Sequence, residues 1–255
     1  MRVPVLLLAG AALLSSCCGG GEPPLPTYPK DLSGPAILEA LRARQARVAT
    51  LVAEGKGSLS GSEGADGSFR WQCWAAGTSR MRLVLTHRLK GCLADAVVDG
   101  DRVACYDPES KTVARGRLGS LGGLGLRQTV SLLRLLAGPA DGLAFDTLPR
   151  TDEALRLVLD LGGGRKWRLR LDRRHLVYEE GELWIQGAVR ARLAFDPEGY
   201  RLEGGIPWPM EMTVDQPGEA WKLKLKFQDL KVGVPIDPEV FQLKVPEGMK
   251  EELLD

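Results

Sequence analysis

Over much of its length the chain alternates apolar and charged residues with a period of two, the spacing that sends successive side chains to opposite faces of a β-strand. Met81, Leu83 and Leu85 oppose Arg80, Arg82 and Thr86, while Leu155, Leu157 and Leu159 flank Arg156 and Val158. Trp167, Leu169 and Leu171 oppose Lys166, Arg168 and Arg170; Val189, Ala191, Leu193 and Phe195 oppose Arg190 and Arg192. The cleanest run sets Trp221, Leu223, Leu225 and Phe227 against Lys222, Lys224 and Lys226. Turn residues separate the runs at Asp66-Gly67, Gly77, Asp99-Gly100, Asp107-Pro108, Gly162 to Gly164, Asp196 to Gly199 and Pro217-Gly218. Such strands, each with one wet face, predict an antiparallel meander. The apolar face of that sheet has to curl around something or be covered.

Cover comes from two predicted helices. Ile37, Leu38, Leu41, Val48, Leu51 and Val52 recur at helical spacing, with Ser33 or Gly34 as the cap and Gly55 as the stop; Gln45 interrupts the stripe. A second, shorter helix is predicted over Leu126 to Ala137, ended by Gly138-Pro139. The fold class expected is α+β and mainly β: a curved antiparallel sheet, or half-barrel, covered by helices. Two helices are a small cover for so many strands, which leaves room for an apolar cavity.

The first residues carry an address. Met1-Arg2 followed by the apolar run Val3 to Leu14 has the basic start of a secretory signal, and at roughly 12 residues it falls short of a membrane span. Leu14-Ser15-Ser16-Cys17 resembles the lipobox of bacterial lipoproteins, which implies cleavage before Cys17 and diacylglycerol on its thiol. Ordinary secretory cleavage and an uncleaved anchor are the alternatives. Residues 1–16 are thus read as signal peptide and 17–35 as a lipidated Gly/Pro-rich tether, flexible through Gly19 to Gly21 and extended through Pro23, Pro24, Pro26 and Pro29. Residues 36–248 form the folded domain and 249–255 a C-terminal tail. Two or three acyl chains on Cys17 meet the two-signal requirement for stable anchoring. The residue after Cys17 is Cys18 rather than the Asp that marks inner-membrane retention in enterobacterial lipoproteins, so the periplasmic face of the outer membrane is the expected location.

Composition narrows the chemistry. With 34 basic and 33 acidic residues the chain offers no charge excess for nucleic acid. His87 and His175 are the only imidazoles, neither has a neighbouring nucleophile or metal-ligand spacing, and no metal, phosphate-loop or serine-hydrolase motif is present. The acidic cluster Glu179, Glu180 and Glu182 around Gly181 reads as a charged hairpin turn. No enzyme activity, cofactor or metal is expected. Cys73, Cys92 and Cys105 allow three alternative disulfides in an exported chain, of which Cys92 with Cys105 is the most local.

Residues 36–248 resemble the LolA and LolB superfamily, the periplasmic carrier and outer-membrane receptor of Gram-negative lipoproteins. The resemblance rests on a helix ending at Thr50-Leu51-Val52-Ala53, a first strand at Gly55 to Leu59, the meander, a helical interruption near Arg127 to Leu136, and the close. That close runs through Phe227 and Val232 to Ile236-Asp237-Pro238-Glu239-Val240-Phe241 and Pro246-Glu247-Gly248. It implies a half-barrel whose cavity takes acyl chains of lipid or lipoprotein under a helical lid, without catalysis or cofactor. The candidate lining is Phe69, Trp71, Met81, Leu83, Leu85, Trp167, Leu169, Leu193, Phe195, Met210, Met212, Trp221, Leu223, Leu225 and Phe227, which as simple core would fill the same space. In LolB an exposed apolar loop residue helps insert cargo. Two segments here offer such a tip: His87 to Gly91 around Leu89, and the glycine-spaced Leu118, Leu121, Leu124 and Leu126, which as a packed loop or weak strand would have no such role. A structural lipoprotein binding a periplasmic protein partner is the other reading. In it the basic ladders meet a negative surface or anionic headgroups, or simply keep the sheet soluble.

Overall fold

The computed structural model describes residues 23–61, 67–77, 79–117, 143–145, 154–218 and 221–254. Among them a single α-helix, α1 (Gly34–Ala46), leads into a first meander of β1 (Thr50–Gly61), β2 (Gly67–Ala76), β3 (Arg80–His87), β4 (Gly91–Asp99), β5 (Arg102–Asp107) and β6 (Thr112–Arg117). A second meander holds β7 (Leu143–Phe145), β8 (Ala154–Gly162), β9 (Arg165–Asp172), β10 (Tyr178–Ile185) and β11 (Ala188–Phe195). There follow β12 (Tyr200–Glu203), β13 (Ile206–Pro209), β14 (Glu211–Gln216), β15 (Trp221–Val232) and β16 (Lys250–Leu254). β14 pairs with β11 and β15 with β1, which fuses both meanders into one fourteen-stranded sheet running from β16 to β7. Every pairing in it is antiparallel except that of β16 with β6. The sheet is curved and open rather than closed into a barrel. The expected mainly β half-barrel is therefore what forms; the second helix, expected over 126–137, falls outside the described residues.

The first helix is shorter than its apolar spacing predicts. Ser33 caps it, its side chain accepting from Ala36 N at 3.5 Å, and it ends at Ala46. Thr50 to Ala53, expected to close the helix, instead open β1, and Gly55 lies inside that strand rather than at a helix stop. The reason is pairing on both sides: Leu51 and Ala53 face Ala75 and Cys73 on β2, and Val232 and Leu230 on β15. Two ladders with inward apolar side chains outweigh a helical stripe of the same residues.

The core lies on the concave face. Leu155, Leu157, Trp167, Leu169, Leu171, Leu193, Leu223 and Leu225 are buried there, as the alternation predicts. Ile37 and Leu41 of α1, Ile206 and Trp208 of the β12–β13 hairpin, and the incoming residues Leu25, Tyr28 and Leu32 close over it. α1 approaches β7, the far edge of the curl, so it lies across the mouth.

The outer face is a lattice of opposite charges. Glu211 bridges Lys224 and, at 2.8 Å, Lys226; Arg170 meets Glu179 at 2.9 Å and Glu180 at 3.5 Å. The acidic cluster is thus not a hairpin turn. Glu180 and Glu182 pair with Arg170 and Arg168 in mid-strand, because cross-strand arginines supply the counter-charge. After β15 the chain crosses this outer face as a strap. Its 3-10 turn, Pro238–Phe241, packs on β3, with the Arg80 guanidinium 5.3 Å from the Phe241 ring centre. Arg82 donates to the Val240 carbonyl at 3.0 Å and holds Asp95 with two further bonds, at 2.9 and 2.6 Å. The segment read as a tail then supplies β16 at the sheet edge.

Candidate functional site: the covered concave face

The structure gathers the candidate lining residues into one cluster. Trp71, Met81, Leu83, Trp167, Leu169, Leu193, Phe195, Met212, Leu223, Leu225 and Phe227 are buried in it, and Phe69, Leu85 and Met210 pack half-buried against it. Trp221 belongs to β15, but its side chain lies outside the described residues. At the centre Trp71 meets Phe227 edge-on, centroids 4.8 Å apart, and Trp208 meets the same ring at 6.1 Å. The Trp71 indole N–H donates to the Lys56 carbonyl at 3.2 Å, so this buried ring has its polar atom satisfied.

Cover and sheet are joined by a small set of polar bonds. Arg44 of α1 donates to the Leu176 carbonyl at 2.8 Å, Arg47 to the Gly204 carbonyl at 2.6 Å, and the Tyr200 hydroxyl to the Tyr178 carbonyl at 2.6 Å. Beneath the end of α1 is a cavity of about 20 Å³, room for roughly one water, lined by Arg44, Tyr178, Tyr200, Ile206 and Trp208 among others. Of these lining residues, Tyr178 and Trp208 carry a hydroxyl and an indole N–H that are buried without a hydrogen-bond partner among the described residues. Burial pushes both the Tyr178 and Tyr200 phenols above the usual tyrosine range. Sequence reasoning did not reach this corner. Its one signal was a tryptophan held between Pro207 and Pro209.

Of the two candidate tips, Leu89 is placed clearly. It sits in the β3–β4 turn 88% exposed, between exposed Arg88 and Lys90, and the His87 Nδ1 accepts from the Leu89 and Lys90 amides at 3.2 and 3.3 Å. His175 is engaged in another turn, its Nδ1 3.0 Å from the Pro26 carbonyl. Cys17, Leu118, Leu121, Leu124 and Leu126 lie outside the described residues.

The Cys92–Cys105 disulfide does not form in this structure: Cys73, Cys92 and Cys105 are free thiols. Register explains it. Cys105 pairs with Ala96 and Ala96 with Leu83, a concave-face row, whereas Cys92 pairs with Thr86, three positions on from Leu83 and so on the opposite face. Burial raises the Cys105 thiol to about 11 and Cys73 to about 12, against an ordinary 9.0. Raised in the folded state, the Cys73 pKa contributes stability that is complete below pH 9 and is lost as pH climbs towards 12, because the unfolded chain sheds the proton first. Melting temperature should therefore fall between pH 9 and 11 more steeply in the native protein than in Cys73→Ala.

A curved open sheet with an apolar concave face under a small helical cover is the LolA/LolB-like architecture. The chain superposes on a LolA superfamily protein from Nitrosomonas europaea with TM-score 0.63 at 13% identity, covering 83% of this chain and 98% of that one. A DUF1329 family protein from Desulfovibrio piger gives TM-score 0.62 at 12% identity, covering 82% and 97%. A domain described as an outer membrane lipoprotein-sorting protein, from Vibrio parahaemolyticus, gives 0.61 at 15% identity, covering 80% and 95%. No protein-family model and no curated protein sequence matches the chain. At these identities the likeness establishes the fold.

Proposed function

We propose that this is a non-enzymatic periplasmic lipoprotein, anchored through lipid on Cys17 and favouring the outer membrane, whose half-barrel binds acyl chains of lipid or lipoprotein. One observation carries the reading. Among the described residues, the apolar face of a fourteen-stranded sheet is closed by a 13-residue helix, a hairpin of two four-residue strands and an incoming segment rather than by a second layer of equal size. Lifting that cover exposes apolar surface, and an acyl chain restores the burial at about 0.8 kcal/mol per CH₂. Met210 and Met212 suit chains of variable shape. The outer basic ladders, largely paired within the sheet, serve solubility on this reading.

The full chain with Cys17 and Cys18 replaced by serine, purified from the periplasm without detergent, tests it by native mass spectrometry. Co-purifying acyl lipid, reduced in Met210→Glu and Leu85→Glu, is the expected result. Both sites are half-buried, so each variant should still fold. Ligand-free protein that also fails to bind a fluorescent fatty acid sinks the reading in favour of a scaffold for a protein partner.

Leu89 then has a role. An exposed leucine between two cations inserts at a membrane surface while Arg88 and Lys90 meet anionic headgroups. Leu89→Glu should lower binding to phosphatidylglycerol vesicles several-fold while leaving the melting temperature within about 1 °C, since exposed sites barely affect stability. Unchanged vesicle binding would remove the tip from the mechanism.

A further inference from the structure

The cavity under α1 is lined by two residues, Tyr178 and Trp208, that carry buried donors without a partner among the described residues. A tryptophan indole can only donate a hydrogen bond, so the Trp208 N–H requires an acceptor. Tyr178 lines the same cavity, and its hydroxyl is equally unpartnered among the described residues. Arg44 adds a permanent positive charge; one of its guanidinium N–H groups is used on the Leu176 carbonyl and others remain for a ligand. Leaving buried donors unmade is costly, so a fold that retains two around one small space is built for an oxygen placed there. Val48, Val177, Ile206, Pro207 and Pro209 add hydrocarbon to the lining, beside Gln45 and Tyr200, whose hydroxyl is engaged on the Tyr178 carbonyl. The lining adjoins the aromatic core: Trp208 packs edge-on towards Phe227, which meets Trp71, and Tyr178 lies 5.9 Å from the Phe195 ring.

We propose that Arg44, Tyr178 and Trp208 form the head-group site of the acyl cavity, taking the carboxylate or ester-carbonyl oxygen of an acyl chain whose hydrocarbon runs along the Phe227–Trp71 row. This rests on the acyl-binding reading above. An acyl oxygen fits because it brings one acceptor to two unpartnered donors and the Arg44 cation, with hydrocarbon from Val48, Val177 and Ile206 alongside for the chain.

The test uses the full chain with Cys17 and Cys18 as serine, as wild type, Tyr178→Phe and Trp208→Phe. Displacement of bound anilinonaphthalene sulfonate by decanoate, methyl decanoate and decane is measured alongside melting. Each phenylalanine should weaken decanoate about tenfold and leave decane unchanged, the loss expected for one charge-assisted bond. Tighter binding of decanoate than of its methyl ester identifies a free fatty acid; equal binding identifies an esterified lipid. Ligand-free Tyr178→Phe should melt about 2–4 °C higher for each kcal/mol of unmet hydroxyl it removes. A lower melting temperature together with unchanged decanoate affinity overturns the head-group site, the hydroxyl then being satisfied by bound water. If neither decanoate nor decane displaces the probe from wild type, the acyl reading itself fails. If decane displaces it and the variants leave decanoate untouched, only the head-group site fails.

Discussion

Gly55→Val is expected to destabilise the protein by more than about 4 kcal/mol, enough to leave little soluble folded chain, since values above that size mark a few severe mechanisms including core overpacking. β1 is paired on both sides, and a register shift at Glu54/Gly55 presses the Gly55 backbone against β15. A Cβ there would overlap the Lys226 carbonyl oxygen and come 2.8 Å from the Trp71 ring. The carbonyl cannot retreat without shifting β15, which joins the two meanders, and Trp71 is held by Phe227. Gly67→Val is the control, since nothing lies within 4 Å of a Cβ at that position. Urea unfolding of the two variants measures the difference. A soluble Gly55→Val with a near-native midpoint would mean that β1 and β15 do not approach as described.

Asp95→Ala should cost about 3–5 kcal/mol, the range for removing one partner of a buried ion pair. The Arg82 and Asp95 side chains are only 18% and 11% exposed, and the strap lies over them. Removing the carboxylate leaves Arg82 with two part-buried N–H donors unmet. Because the same guanidinium grips the Val240 carbonyl, the loss spreads to the strap, and protease cleavage within residues 234–249 should accelerate. The double variant Arg82→Met, Asp95→Leu should recover most of the stability, since well-packed apolar replacements of a buried pair are often neutral. It should not restore strap protection. A loss below about 1 kcal/mol in Asp95→Ala would place the pair among ordinary surface contacts.

Much of the fold was legible because burial in a one-sided sheet is written directly into period-two alternation. The runs at Met81 to Leu85, Leu155 to Leu159, Trp167 to Leu171 and Leu223 to Phe227 are strands with their apolar residues inward. Charge along those strands was legible too, but not its partners. Glu179 to Glu182 looked like a turn until β9 set arginines beside it.

By itself, then, the sequence determined strand identity, the inward face and an apolar concave surface of Trp, Leu, Met and Phe. The tertiary structure decided what depends on residues far apart in the chain. It drew Thr50 to Ala53 out of the helix and into β1, because β15 and β2 were there to pair with them. It parted Cys92 from Cys105 across the sheet and laid the closing segment over Arg82. It also brought Arg44, Tyr178 and Trp208 around one small cavity. Local alternation records which side of a strand is dry; only long-range register records which strand, charge or donor lies on the other side.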